Sequence, residues 1–187
     1  MKRTATVALM ALMLGTAALS SCKGPESEVD VNIINYNNTS FQIAKGYKHR
    51  VEELKKKGLF KYNVYVMSDG VNLDADYKPT GSGSLISFTV YSKSGFDISQ
   101  GEYPLDGWLA QDSITAENCN VWVNYDFAAD HGEMHKRIKW GSFKFSNLGS
   151  TIKIKFNLQD KPTFVEPMDT VCTFRGNFYG VLGDLNK

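Results

Sequence analysis

Apolar side chains recur at every second position through most of this chain. Phe60, Tyr62, Val64 and Val66 alternate with polar or amphipathic residues, and Tyr65 and Met67 fall on the other face. Cys119, Val121, Val123 and Tyr125 repeat the pattern, with Trp122 opposed. Ile152, Ile154, Phe156 and Leu158 alternate strictly with Lys153, Lys155 and Asn157. A period of two puts one set of side chains on each face of a pleated strand, so each stretch predicts a half-buried β-strand. Leu85, Ile86, Phe88, Val90 and Tyr91 predict another strand, and Val171, Thr173, Phe174, Arg175, Asn177 and Tyr179 predict a closing one. Gly101–Leu105 reads as a short extended piece that Pro104 confines to an edge. Ile138, Trp140, Phe143 and Phe145 surround Gly141, which predicts a bulge there.

Turn residues separate these runs. Val29, Val31 and Ile33 lead into Tyr36-Asn37-Asn38-Thr39-Ser40 and then Phe41-Gln42-Ile43, which predicts a hairpin. Ser92-Lys93-Ser94-Gly95 and Asn147-Leu148-Gly149-Ser150 are tight turns, and residues 74–84 (DADYKPTGSGS) read as a polar loop. One stretch breaks the alternation. Tyr47, Val51 and Leu54 fall at i, i+4 and i+7, and Glu52 and Glu53 precede Lys56 and Lys57 by four, so residues 47–57 are expected to form a short surface helix closed by Gly58.

About nine short strands with no βαβ alternation and no solenoid period predict an all-β fold. The expected architecture is an antiparallel β-sandwich with that one surface helix, and a closed, lipocalin-like β-barrel is the alternative. Residues 29–187 are expected to form a single domain.

The first residues follow different rules. Lys2-Arg3 precedes an apolar run from Ala5 to Leu19, which has the length of a signal-peptide core and falls short of the roughly 20 residues a spanning helix needs. Leu19-Ser20-Ser21-Cys22 places small residues before a cysteine, as a lipoprotein signal peptidase requires. Residues 1–21 are therefore expected to be removed and Cys22 to carry the lipid, palmitate included. Residues 22–28 are expected to be a polar tether (Lys23-Gly24-Pro25-Glu26-Ser27-Glu28). That tether resembles the acidic surface-export signals of Bacteroidetes lipoproteins, although Glu26 and Glu28 are separated and Lys23 intrudes. More than one acyl chain gives stable anchoring. The expected location is the outer membrane, lipid-anchored and exposed at the cell surface, with the periplasmic face as the other option.

Cleavage removes Lys2 and Arg3 from 21 basic residues, leaving 19 against 20 acidic ones. A chain this close to neutral argues against nucleic acid as a partner, since phosphate binding needs a basic field. Of three cysteines, Cys119 and Cys172 remain after lipidation. An oxidising compartment permits a Cys119–Cys172 disulfide, and two reduced buried thiols are the alternative. Their spacing does not suit zinc.

Several clusters invite a chemical reading. Asp130-His131-Gly132-Glu133-Met134-His135 is the densest in ligand-type side chains, with His131, Glu133 and His135 as weak metal candidates. It departs from the HExxH pattern, because Gly132 stands where the general base belongs. Asn72, Asp74 and Asp76 alternate like a calcium loop, but Tyr77 replaces the glycine and no glutamate follows. Trp108, Tyr77 and Tyr103 are candidates for an aromatic glycan platform, since a sugar's CH face packs on a π face. Asp112-Ser113-Ile114 and Asp169-Thr170-Val171 resemble Bacteroidetes O-glycosylation acceptors at Ser113 and Thr170. No phosphate-binding glycine loop, no Gly-x-Ser-x-Gly elbow and no Cys–His pairing is present in the sequence, so neither a cofactor nor catalysis is expected.

Gly101-Glu-Tyr-Pro, Lys139-Trp-Gly-Ser-Phe-Lys-Phe-Ser, Thr151-Ile-Lys-Ile-Lys-Phe-Asn-Leu and Thr173-Phe-Arg-Gly-Asn-Phe-Tyr-Gly-Val-Leu together resemble surface lipoproteins of gut Bacteroidetes, over most of residues 60–182. The resemblance implies a β-sandwich in the cell envelope and implies no activity. The expected role is therefore non-catalytic binding, with a glycan as the candidate ligand. A structural or protein-interaction subunit of an outer-membrane complex, binding an envelope protein, is the alternative.

Overall fold

The computed structural model describes residues 32–54, 58–105, 114–160 and 171–186. Their strands are β1 (Ile33–Tyr36), β2 (Thr39–Gln42), β3 (Lys45–Leu54), β4 (Leu59–Met67), β5 (Val71–Leu73), β6 (Pro79–Ser92), β7 (Gly101–Pro104), β8 (Ala116–Asp126), β9 (His131–Ile138), β10 (Trp140–Leu148), β11 (Thr151–Gln159), β12 (Thr173–Gly180) and β13 (Leu182–Asp184). Sheet 1 has the order β2-β1-β12-β11-β10-β7, and sheet 2 the order β13-β3-β4-β6-β8-β9 with β5 paired to β6. All pairings are antiparallel except β13 on β3. The fold is a β-sandwich. Both sheets end in edge strands, and no closed barrel forms among the described residues.

The two sheets share one core. The ring of Phe88 (β6, sheet 2) stacks on Phe143 (β10, sheet 1) with centroids 3.8 Å apart and planes at 9°. It also meets the edges of Phe145 and Phe156. Alternation supplies this core directly: Ile152, Ile154, Phe156 and Leu158 point inward, while Lys153, Lys155 and Asn157 are exposed. Cys119 and Cys172 are buried in the same cluster as free thiols, so the candidate disulfide is not formed. Burial raises both thiol pKa values, since it penalises the thiolate.

Three sequence expectations are corrected. The helix expected over residues 47–57 is strand β3 as far as Leu54, and Lys55–Lys57 lie outside the described residues. The register of β3 on β4 slips between Arg50 and Glu52, so Val51 is an extra residue in the strand. Tyr47 opposes Tyr65 and Leu54 opposes Leu59. The bulge brings residues seven apart onto one face, which an unbroken strand forbids and a helix imitates. Second, much of the expected loop over residues 74–84 is strand: β6 begins at Pro79, and its glycine- and serine-rich start pairs with both β5 and β8. Only the hairpin tip remains irregular, held by Asp74 Oδ1, which accepts from the backbone N–H groups of Asp76 and Lys78 at 2.9 Å each.

Third, Gly141 marks a corner rather than a bulge. β9 ends at Ile138 and β10 starts at Trp140, so the chain passes from sheet 2 to sheet 1 across Lys139. The β10–β11 register runs unbroken through Gly141. Its φ is +118°, and an added Cβ would lie 2.0 Å from the Asn157 carbonyl oxygen.

Candidate functional site

The outer face of sheet 2 is built from the second half of each alternation. On β4 it carries Lys61, Asn63 and Tyr65; on β6, Ser87, Thr89 and Tyr91. Apolar residues close both ends of this face. At one end Leu59 and Tyr91 pack with Leu54. At the other, Met67, Val71 and Leu85 are covered by Tyr47, Tyr65, Trp122 and Phe127.

Between the two ends lies an open groove of about 340 Å³, lined by Val51, Lys61, Asn63, Tyr65, Ser87, Thr89 and Asn118, with Phe88 beneath. Two bulges shape it. Val51 is the extra residue in β3. On β8 the register against β6 slips between Ser87 and Thr89, and Asn118 takes a left-handed φ of 52°. Asparagine tolerates that conformation better than most residues, and the bulge re-aims its side chain.

The lining is polar but nearly uncharged. Thr89 Oγ1 donates to Asn63 Oδ1 at 2.9 Å. Burial raises the Tyr65 phenol, and a side-chain hydrogen bond with Asn63 acts in the opposite direction. Lys61 is the one charged group, and its ammonium sits 3.6 Å from Glu117 and 5.8 Å above the Tyr91 ring. Tyr91 donates its hydroxyl to the same Glu117 at 2.6 Å, and burial followed by that bond holds the phenol well above its ordinary value. Amides, hydroxyls and a phenol on a shallow floor offer donors and acceptors to a ligand rich in hydroxyl groups.

The residues singled out from the sequence scatter around this groove. The Tyr77 ring lies 4.0 Å from that of His49, which opposes Asn63 across β3 and β4, so Tyr77 stands at the groove's border. Its hydroxyl donates to the Leu185 carbonyl at 3.3 Å. Tyr103 leaves the candidate platform. It is fully buried, donates to the Ser99 carbonyl at 2.7 Å and packs edge-on to Phe145, because the inward phase of β7 claims it for the core. Trp108, Ser113, Thr170 and Cys22 lie outside the described residues.

The cluster at residues 130–135 is an edge strand, and its ligand-type side chains do not converge. His135 stacks on Trp122 at 4.6 Å. Glu133 accepts hydrogen bonds from the Tyr36 hydroxyl and from Asn124 Nδ2, and these two bonds hold its carboxyl below the ordinary value. His131 opposes Asp126 at the strand's start. No group of three or more metal-type ligands converges among the described residues.

Asn63, Ser87, Thr89 and Asn118 have no motif that marks them in the sequence. Their only trace is that the outward half of each alternation is amide or hydroxyl where Lys and Glu would serve solubility equally well. Comparison with protein-family models, with curated proteins and with solved structures finds no match to this chain.

Proposed function

We propose that this chain is a lipid-anchored cell-envelope protein that binds glycans without transforming them. The anchor is Cys22, and the binding surface is the groove on the outer face of sheet 2. The observation that carries the reading is the lining itself: Asn63, Asn118, Ser87, Thr89 and Tyr65 around a floor with one ion-paired lysine. A neutral, hydroxyl-rich ligand matches that set. An apolar peptide leaves its amides unsatisfied, which is costly. The groove lining holds no carboxylate pair of the kind glycoside hydrolysis uses.

The protein-interaction reading rests on sheet edge β9, eight residues long. Its His131, His135, Lys136 and Arg137 are exposed, and charged edges resist strand addition.

The test is titration of the full chain, purified in detergent, with neutral polysaccharides (xylan, mannan, dextran and starch), followed by calorimetry and by intrinsic tryptophan fluorescence. Asn118→Gly removes the amide while keeping the left-handed backbone, and is expected to weaken binding about three- to tenfold, the worth of one hydrogen bond. Absence of binding by every polysaccharide, with the protein folded, refutes the proposal.

A further inference from the structure

Sheet 1 has a charge distribution that the near-neutral composition hides. Its six strands contain four cations, Lys144, Lys153, Lys155 and Arg175, and one carboxylate, Glu102. All four cations are exposed on the outer face, and none is ion-paired to a described residue. Lys144 and Lys155 stand directly opposite each other, an arrangement that repels. Glu102 faces Lys144 across β7 and β10, but its carboxylate accepts from the Ser142 hydroxyl at 2.8 Å. Strand spacing places these cations about 5 Å apart across the sheet and about 7 Å apart along it. Among them sits Asn177, opposite Lys155, only 7% exposed and with an amide oxygen that has no hydrogen-bond partner. Buried acceptors of this kind are rare in folded proteins.

The same sheet holds exposed apolar groups. Trp140 lies at one end, and Leu148 and Tyr179 at the other, with Val181 just past β12. Tyr179 stands opposite Lys153, and its hydroxyl lies 3.4 Å from Thr151 Oγ1. Aromatic tips, an exposed leucine and long-stemmed cations on one face are the composition of a surface that rests in lipid headgroups.

The position of Asn32 agrees. Asn32 Oδ1 accepts from the Tyr179 backbone N–H at 2.6 Å, so Asn32, the first described residue, lies at the Leu148–Tyr179 end of sheet 1. Nine residues lie between Cys22 and Asn32, a covalent reach of at most about 35 Å. Asn32 therefore stays within that reach of the bilayer once Cys22 is lipidated.

We propose that the outer face of sheet 1 docks flat on an anionic lipid surface, its four cations meeting phosphates and Leu148 and Tyr179 entering the headgroup layer. The proposal rests on the lipid anchor at Cys22. It leaves the groove of sheet 2, on the opposite side of the sandwich, facing away from the membrane and open to ligands.

The test uses the lipidated full chain reconstituted into vesicles of phosphatidylcholine alone or mixed equally with phosphatidylglycerol. An environment-sensitive probe is placed at Leu148→Cys or, as control, at Phe96→Cys, which is exposed in the turn after β6. Cys119 and Cys172 are buried and do not compete for label. Quenching by brominated lipid is expected at position 148 in anionic vesicles, severalfold weaker in neutral ones, and absent at position 96. Replacing Lys144, Lys153, Lys155 and Arg175 together by glutamine is expected to abolish quenching while the protein stays vesicle-bound through its lipid. Protein that fails to enter vesicles at all refutes the anchor. Vesicle-bound protein whose position 148 stays in water, or is quenched equally without anionic lipid, overturns the docking face. So does binding of polygalacturonate to this face without any lipid quenching, which would assign it to an acidic glycan.

Discussion

Replacing Phe88 by alanine removes the ring through which the two sheets meet. Phe88 is 2% exposed, stacks on Phe143 at 3.8 Å and touches the edges of Phe145 and Phe156. Transfer of the lost side chain and the hole it leaves together cost about 3–5 kcal/mol in well-packed cores. The aromatic contacts add about 0.5–1.5 kcal/mol per pair. The three surrounding rings all belong to sheet 1, on β10 and β11, so filling the hole requires the two sheets to approach. We therefore expect a loss near the top of the range, about 5 kcal/mol, comparable with the whole stability of many domains. For a domain of this size each kcal/mol lowers Tm by about 2–4 °C, so a shift of about 10–20 °C is expected. The assay is urea and thermal unfolding by circular dichroism, with Phe88→Leu as a volume-preserving control expected to lose well under half as much. Phe96→Ala, at a ring 94% exposed, is expected to change stability by less than about 0.5 kcal/mol. A loss below about 1 kcal/mol for Phe88→Ala would refute the claim that one core holds both sheets.

Three further outcomes follow from the same arguments. Gly141→Ala adds a Cβ 2.0 Å from a backbone oxygen at a φ of +118°, so a loss of at least about 2 kcal/mol in unfolding is expected, with the sheet-to-sheet corner displaced. Tyr62 is buried and its phenol is pushed up to about 12 from 10.0, mainly by desolvation. Its raised folded-state pKa contributes stability that is complete below pH 10 and is lost as pH rises toward 12. Unfolding curves across that window should show the decline, and Tyr62→Phe should make it shallower, the remainder coming from Tyr65, Tyr91 and Tyr103, whose phenols burial also raises. Cys22→Ala is expected to abolish lipid attachment, read as loss of the acyl mass from the amino-terminal peptide.

Period-two alternation was enough to place most strands, because burial on one face of a sheet writes itself into every second residue. Ile152–Leu158 could be read without any structure. The resulting class, a sandwich of short strands, is the one observed. The processing signal expected at Leu19-Ser20-Ser21-Cys22 is likewise local, since such a site is defined by adjacent residues. Bulges are where this reading failed. One extra residue at Val51 turned a strand into the image of a helix, and one at Asn118 aimed an amide into a groove that no spacing announces. Periodicity assumes an unbroken register, and a bulge breaks it for reasons that lie in the neighbouring strand. Tyr103 left the candidate platform in a related way: it reads as an available ring in sequence, and only the phase of β7 against β10 sends it inward. The four cations of sheet 1 lie on three strands, and Asn177 stands among them through pairings across β10, β11 and β12. What the sequence determined by itself is each strand's two faces. Which faces meet and which charges become neighbours depend on strand order. That order is set by contacts between residues far apart in the chain, so only the tertiary structure decided it.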